Sequence, residues 1–291
     1  MKEVNKVFEA YENETFALKL ERDVILVDGP DAGKYLQGQL TQDVLGMKEG
    51  ESVWSFLLNP DGKVNAWLRV SQISENQYLL DVDSDSGEAV TERLLRFKLR
   101  TDCELTLEKW NGVTIAGKDA SSYAGNLSLR QIVAQTAWHK ISSVDIIGGN
   151  MEALLQKFPE PKQSSDFLRI INVIPKMGTE LHAKVIPAET GLVEKSVSFT
   201  KGCYTGQELV ARIDSRGNKV PKNLMLIACH EAMSIGDEVE IEDSQEVVSE
   251  DQSEEATEEA IVDESINIED DVNALLGGEE LSEEFKERAN L

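Results

Sequence analysis

FTKGCYTGQELVARIDSRGN runs from Phe199 to Asn218, with Lys201-Gly202-Cys203-Tyr204-Thr205-Gly206-Gln207-Glu208 at its centre. A thiol here sits beside glycine in a short polar stretch, with a cation two residues before it. The thiolate is the reactive form of cysteine, and nearby cations and helix N-termini favour it. Gly202 and Gly206 permit a tight backbone turn. The helix formers Gln207-Glu208-Leu209-Val210-Ala211-Arg212 predict a helix starting just after the thiol, with free N–H groups aimed near it. A lone cysteine in a glycine-rich turn also serves as a plain packing residue. The crowding of Lys201, Tyr204, Gln207, Glu208 and Arg212 around Cys203 favours the functional reading, because an inert buried cysteine needs no such polar company.

Length and charge bound what surrounds this stretch. The 291 residues are enough for two or three domains and a substantial core. The formal net charge is −25, but residues 231–291 hold 23 acidic and 2 basic side chains, leaving 31 and 27 in residues 1–230. The body is close to balanced and lacks the basic footprint of a nucleic-acid surface, so no direct DNA binding is expected. Cys103, Cys203 and Cys229 form no CxxC pair, which indicates neither a disulfide framework nor a metal site. The N-terminus MKEVNKVFEAYENE has no apolar leader, and no run nears the roughly 18 apolar residues of a membrane span. A cytoplasmic protein without membrane contact is the expectation, with its oligomeric state open.

Working outward towards the N-terminus, residues 23–27 read as a strand ending in Asp28-Gly29-Pro30-Asp31, a strand-to-helix turn. The helix after it carries Ala32, Tyr35, Leu36 and Leu40. A meander follows: 52–58, the turn Asn59-Pro60-Asp61-Gly62, 63–73, a second turn at 74–77, and 78–82. Trp54, Phe56 and Leu58 alternate, as do Val64, Ala66, Leu68 and Val70, which predicts one buried face per strand. A helix over 85–99 places Val90, Leu94 and Phe97 on one face and leaves Arg93, Arg96, Lys98 and Arg100 as a solvated basic side. Short strands at 105–107 and 113–116, helices at 151–158 and from Ser164, and strands at 220–230 and 237–241 complete the reading. Strands joined by hairpins and mixed with helices, without regular βαβ units, predict an α+β fold.

KGCYTGQE followed by ELVAR and RGN resembles the motif of the YgfZ family of folate-binding proteins, which is related to the aminomethyltransferase (T-protein) of the glycine cleavage system. GPDAGKYLQGQLTQDV, with Gln39, Thr41 and Asp43, is similar to the opening helix of that family. The hairpin at Asp61-Gly62-Lys63 and the segment LLRFKLR match further family elements. The resemblance covers roughly residues 16–240. It implies an aminomethyltransferase-like folate-binding fold and a role in iron–sulfur cluster assembly or repair, affecting tRNA modification through iron–sulfur client enzymes. It implies tetrahydrofolate as cofactor. Cys203 would be the catalytic thiol. Lys201 and Arg212 would supply charge to it or to the folate glutamate, and Gln207 or Glu208 would hold loop or ligand, with Gly202, Tyr204 and Gly206 completing the motif. Glu189 resembles the acid of a family "P-x-E" element and either contacts substrate or caps a turn. In DFLRIINVIP the aminomethyltransferases carry "LR-x-E-x-G", whose Glu contacts the pterin. That position is Ile171 here, and the glycine is Val173. A true aminomethyl (one-carbon) transferase is the alternative function.

Domain boundaries are read at 1–160 for the part with the meander, 161–241 for the part with KGCYTGQE and a truncated barrel, and 242–291 for an acidic tail. The tail is too charged and too poor in aromatics to build a core, which predicts disorder. The incomplete C-terminal β-barrel would leave the strand near 222–230 as an unpaired edge. Residues 271–286 show a short amphipathic pattern, distantly similar to prohead core scaffold proteins of tailed phages. A structural or scaffold chimera with an inactive truncated body is therefore a third reading.

Overall fold

The computed structural model describes residues 2–123, 130–217 and 219–227. Its elements are α1 (Lys2–Asn13), β1 (Thr15–Asp28), α2 (Ala32–Gln39), β2 (Ser52–Leu58), β3 (Val64–Ser74), β4 (Gln77–Asp83), α3 (Gly87–Phe97), β5 (Glu104–Gly117), β6 (Ile132–Gln135), β7 (Ser143–Ile147), α4 (Glu152–Lys157), α5 (Ser165–Ile171), α6 (Val193–Ser196) and α7 (Gln207–Asp214). The strands form one antiparallel sheet in the order β2-β3-β4-β1-β5-β7-β6.

The α+β expectation holds, and the meander falls where the turn chemistry put it. Two strands are longer than their apolar patterns suggested. β5 is one continuous strand, paired with β1 from Thr15↔Gly117 to Asp28↔Glu104. Its polar middle, Lys109-Trp110-Asn111-Gly112, breaks the alternation without breaking the ladder, since backbone groups make the ladder whatever the side chains are. The helix α1 was not foreseen. It is held by Val4, Val7, Phe8 and Tyr11, which pack on Leu18, Ala116, Leu168 and Ile171.

The expectation of a single buried face per strand is corrected. One face of the β2–β4 meander carries Leu57, Ala66, Leu68 and Val70 against Leu36 and Leu40 around α2 and Val90 and Leu94 of α3. The other carries Phe56, Leu58, Val64 and Trp67 against Leu181, Val185, Leu192, Val197 and Val210. Chain from both halves covers the meander, so its strands read as nearly continuous apolar runs. The basic side of α3 is corrected in part. Arg96 and Arg100 are exposed, whereas Arg93 is buried, stacks 3.9 Å from the Phe97 ring centroid and donates to the Leu58 carbonyl at 2.7 Å. Its long stem reaches back under the helix.

Residues 219–227 form no strand, so this part of the strand expected at 220–230 is not formed, and its last residues, 228–230, lie outside the described residues. The predicted strand at 237–241, the acidic tail and its phage-scaffold similarity lie outside the described residues.

Candidate functional site

Cys203 is a free, exposed thiol in the loop between α6 and α7. The helix predicted to follow it is α7, which starts at Gln207. The loop is fastened at Lys201, Tyr204 and Thr205. Lys201 is half-buried, and its Nζ donates to the carbonyls of Gln37 (2.7 Å), Leu40 (2.6 Å) and Gln42 (2.8 Å). Its ammonium also lies 5.1 Å from the Tyr204 ring centroid. Burial lowers Lys201 to about 8, with Asp43 pulling the other way. The Tyr204 phenol is pushed up to about 12 by its own burial. The Tyr204 amide donates to Gln207 Oε1 at 3.2 Å, and the Thr205 amide donates to the Gly38 carbonyl at 3.1 Å.

The two glycines of the motif differ. Gly206 has φ +83°, and a Cβ there would lie 2.6 Å from the Asn59 carbonyl oxygen. Gly62, at φ +85°, faces it, with an added Cβ 2.5 Å from Leu209 Cβ. The Asn59–Gly62 hairpin turn and the start of α7 thus meet through glycines because nothing larger fits. Gly202 has open space around it. Glu208 and Arg212 are exposed on α7. Glu189 accepts the Ile186 amide at 3.0 Å and caps the turn Pro187–Glu189. Of its two sequence readings, this geometry is the cap.

The sheet curls so that its two edges face one another across a cavity of about 580 Å³, lined by Ser52–Trp54 of β2, Val133–Gln135 of β6, and by Gln42, Trp138 and Lys195 among others. A volume in this range suits a small-molecule ligand. Trp54 stacks on Trp67 with ring centroids 4.2 Å apart. Behind it lies a buried ionic network absent from the sequence reading. Arg69 donates to both Asp81 oxygens at 2.9 and 3.1 Å, to Asp145 at 3.0 Å and to the Gln135 carbonyl at 3.1 Å. Its guanidinium lies 5.1 Å from the Trp54 ring centroid. Arg22 pairs with Asp81 at 3.0 Å and also with Asp83. The network links β1, β3, β4, β6 and β7. Its signal in the sequence was a charge inside an apolar strand, Arg69 in WLRVS and Asp81 in YLLDVD. A buried charge of this kind needs a partner.

Cys203 does not line this cavity, but the two are joined. Lys201 holds the Gln42 carbonyl, and the Gln42 side chain lines the cavity and donates to the Lys195 carbonyl at 3.3 Å. Ile171 is buried with Tyr11, Leu18 and Leu168, away from the cavity lining. Val173 follows α5 with φ +54°. The Ile174 amide bonds to Arg169 O at 2.9 Å and the Val173 amide to Ile170 O at 2.8 Å. This is a Schellman helix end whose left-handed position is ordinarily glycine. Among the described residues no group of three or more His, Cys, Asp or Glu could hold a metal, and no helix is long and apolar enough to cross a membrane.

No protein-family model matches the chain. An uncharacterised protein of Haemophilus influenzae is 30% identical over 222 residues, covering 75% of this chain and 76% of that one. A tRNA-modifying protein YgfZ of Colwellia psychrerythraea is 26% identical over 236 residues, covering 74% and 71%. The chain belongs to the YgfZ family. A mitochondrial iron–sulfur cluster assembly factor IBA57 homologue of Neurospora crassa is 27% identical over 229 residues, and this YgfZ-family chain spans about half of its length, 49%. Among solved structures, the glycine cleavage system aminomethyltransferase T of Bartonella henselae superposes with a TM-score of 0.63 at 17% identity, covering 72% of this chain and 66% of that one. The YgfZ-family chain thus has an aminomethyltransferase-like fold, built here on a curled antiparallel sheet.

Proposed function

We propose that this chain is a folate-dependent accessory protein of iron–sulfur cluster assembly or repair, acting in the cytoplasm and affecting tRNA modification through iron–sulfur client enzymes. The observation that carries the reading is the Cys203 loop: an exposed thiol on a segment pinned at Lys201, Thr205 and Gly206. A cysteine needed only for packing would be buried, as Cys103 is. The names of the YgfZ and IBA57 relatives support the same role.

The cavity between β2 and β6 is the candidate folate site. Its lining carries the residue types that suit a flat heteroaromatic ring with an anionic tail: the aromatic rings of Trp54 and Trp138, the cation of Lys195, and the amides of Gln42 and Gln135. Bound there, the folate would supply a one-carbon carrier. The carboxylate of the transferases has no counterpart, because Ile171 is packed in an apolar cluster. That disfavours the transferase reading and leaves Trp54 and Lys195 to hold the ligand. Lys195 Nζ donates to the Ala137 carbonyl at 2.6 Å, and burial lowers its pKa.

Two measurements test this. In a strain lacking its own homologue, Cys203→Ala and Cys203→Ser should abolish complementation while leaving thermal stability nearly unchanged, since an exposed thiol carries little packing energy. Retained complementation removes the thiol from the function. Titration with tetrahydrofolate should change tryptophan fluorescence, and Trp54→Phe should diminish the response. Absence of any binding by calorimetry refutes the folate assignment.

A further inference from the structure

A cation two residues from a cysteine is ordinarily taken as its activator. In this fold the ammonium of Lys201 is engaged elsewhere. An ammonium has three donors and no acceptor, and all three find carbonyls, those of Gln37, Leu40 and Gln42. These oxygens cluster at the C-terminal end of α2, where a helix leaves its last carbonyls without intrahelical partners and where positive charge is favoured. The thiol is not among the acceptors. Thr205, two residues beyond the thiol, is tied to the same helix end through the Gly38 carbonyl. Cys203 therefore sits between two tethers that both lead to α2.

We propose that Lys201 is a positioning residue: through the carbonyls at the end of α2 it holds the Cys203 loop in place, and its charge serves that clamp and not the thiol. The functional weight of the clamp rests on the reading of Cys203 as the functional thiol. The same clamp fixes one wall of the cavity, because the Gln42 side chain projects from a backbone that Lys201 holds. Asp43, whose Oδ1 is already bonded by Gln37 Nε2 and the Gly46 amide, attracts Lys201 from the segment after α2, and the Tyr204 ring faces it from the loop.

The test uses the full chain with Lys201→Met and Lys201→Arg. Three quantities are followed: exchange of the Thr205 amide, alkylation of Cys203 by iodoacetamide against pH, resolved by peptide mass spectrometry, and complementation. Loss of the charge-assisted bonds in Lys201→Met should speed Thr205 exchange by about tenfold or more. Lys201→Arg, which keeps charge and donors, should restore most of the protection. The midpoint of the alkylation profile should stay in place in both, and complementation should fall with Met and recover in part with Arg. A midpoint that moves upward in Lys201→Met while Thr205 exchange is unchanged overturns the proposal and returns the charge to the thiol. Should Lys201→Met fail to fold, Lys201→Gln replaces it: faster Thr205 exchange with an unmoved midpoint upholds the clamp, and an upward midpoint with unchanged exchange sinks it. Full complementation by Cys203→Ala defeats the functional reading of the thiol, while the exchange data still decide the clamp.

Discussion

A Cβ built on Gly206 would stand 2.6 Å from the carbonyl oxygen of Asn59, so the thiol loop and the β2–β3 hairpin turn are in backbone contact. Two sequence motifs separated by more than a hundred residues are thereby one structural unit. Gly206→Ala must push the loop off the hairpin and also bear φ +83°, a cost of about 1–3 kcal/mol. Gly202→Ala meets open space and should leave stability nearly unchanged. Chemical denaturation of the two variants measures the contrast, and equal effects would remove the hairpin contact from the account.

Asp81 is fully buried between Arg22 and Arg69. Asp81→Asn leaves two guanidinium groups short of their shared counter-charge, which should cost about 3–5 kcal/mol. A urea midpoint close to that of the parent would show that water or a rearranged Asp145 can replace it.

Val173 occupies the left-handed position of the α5 helix end. A β-branched residue there is strained by about 1–2 kcal/mol, against an entropic cost of glycine of about 0.5–1 kcal/mol. Val173→Gly should therefore raise stability slightly, seen as a higher melting temperature. A lower one would mean that the packing of the valine side chain outweighs the strain.

The buried Lys201 gives stability a pH dependence of definite sign. Its folded-state pKa is lowered from 10.5 to about 8, with burial the main cause. Below about 8 both states carry the proton. Between about 8 and 10.5 the unfolded chain keeps it while the folded chain has given it up, so stability from this group rises with pH across that window. Lys201→Arg, charged throughout, should lack the rise. Melting curves of both proteins from pH 7 to 10.5 check it, and identical slopes would assign the effect to other groups.

Much of this molecule was readable from local chemistry. The Asn59-Pro60-Asp61-Gly62 turn, the helix starting after Gly206 and the Ser164 cap on α5, which accepts the Phe167 amide at 3.1 Å, depend on residues a few positions apart. So does the alternation of Trp54, Phe56 and Leu58 in β2, which share one face, and of Ala66, Leu68 and Val70 in β3, whereas Val64 packs on the other face. The motif around Cys203 is legible for the same reason, because its residue types are contiguous.

What the tertiary structure alone decided is where long side chains spend their charge. Lys201 stands beside Cys203 in the chain, yet its ammonium reaches carbonyls about 160 residues earlier. Arg69 falls between two apolar residues of a strand and became the centre of a network spanning Asp81, Asp145 and Gln135. The cavity with β2 and β6 on its walls likewise joins residues far apart in the chain. Short-range patterns record backbone geometry, whereas the cost of burying a charge is met by whichever acceptor the folded chain brings within reach, and that acceptor leaves no local mark in the sequence.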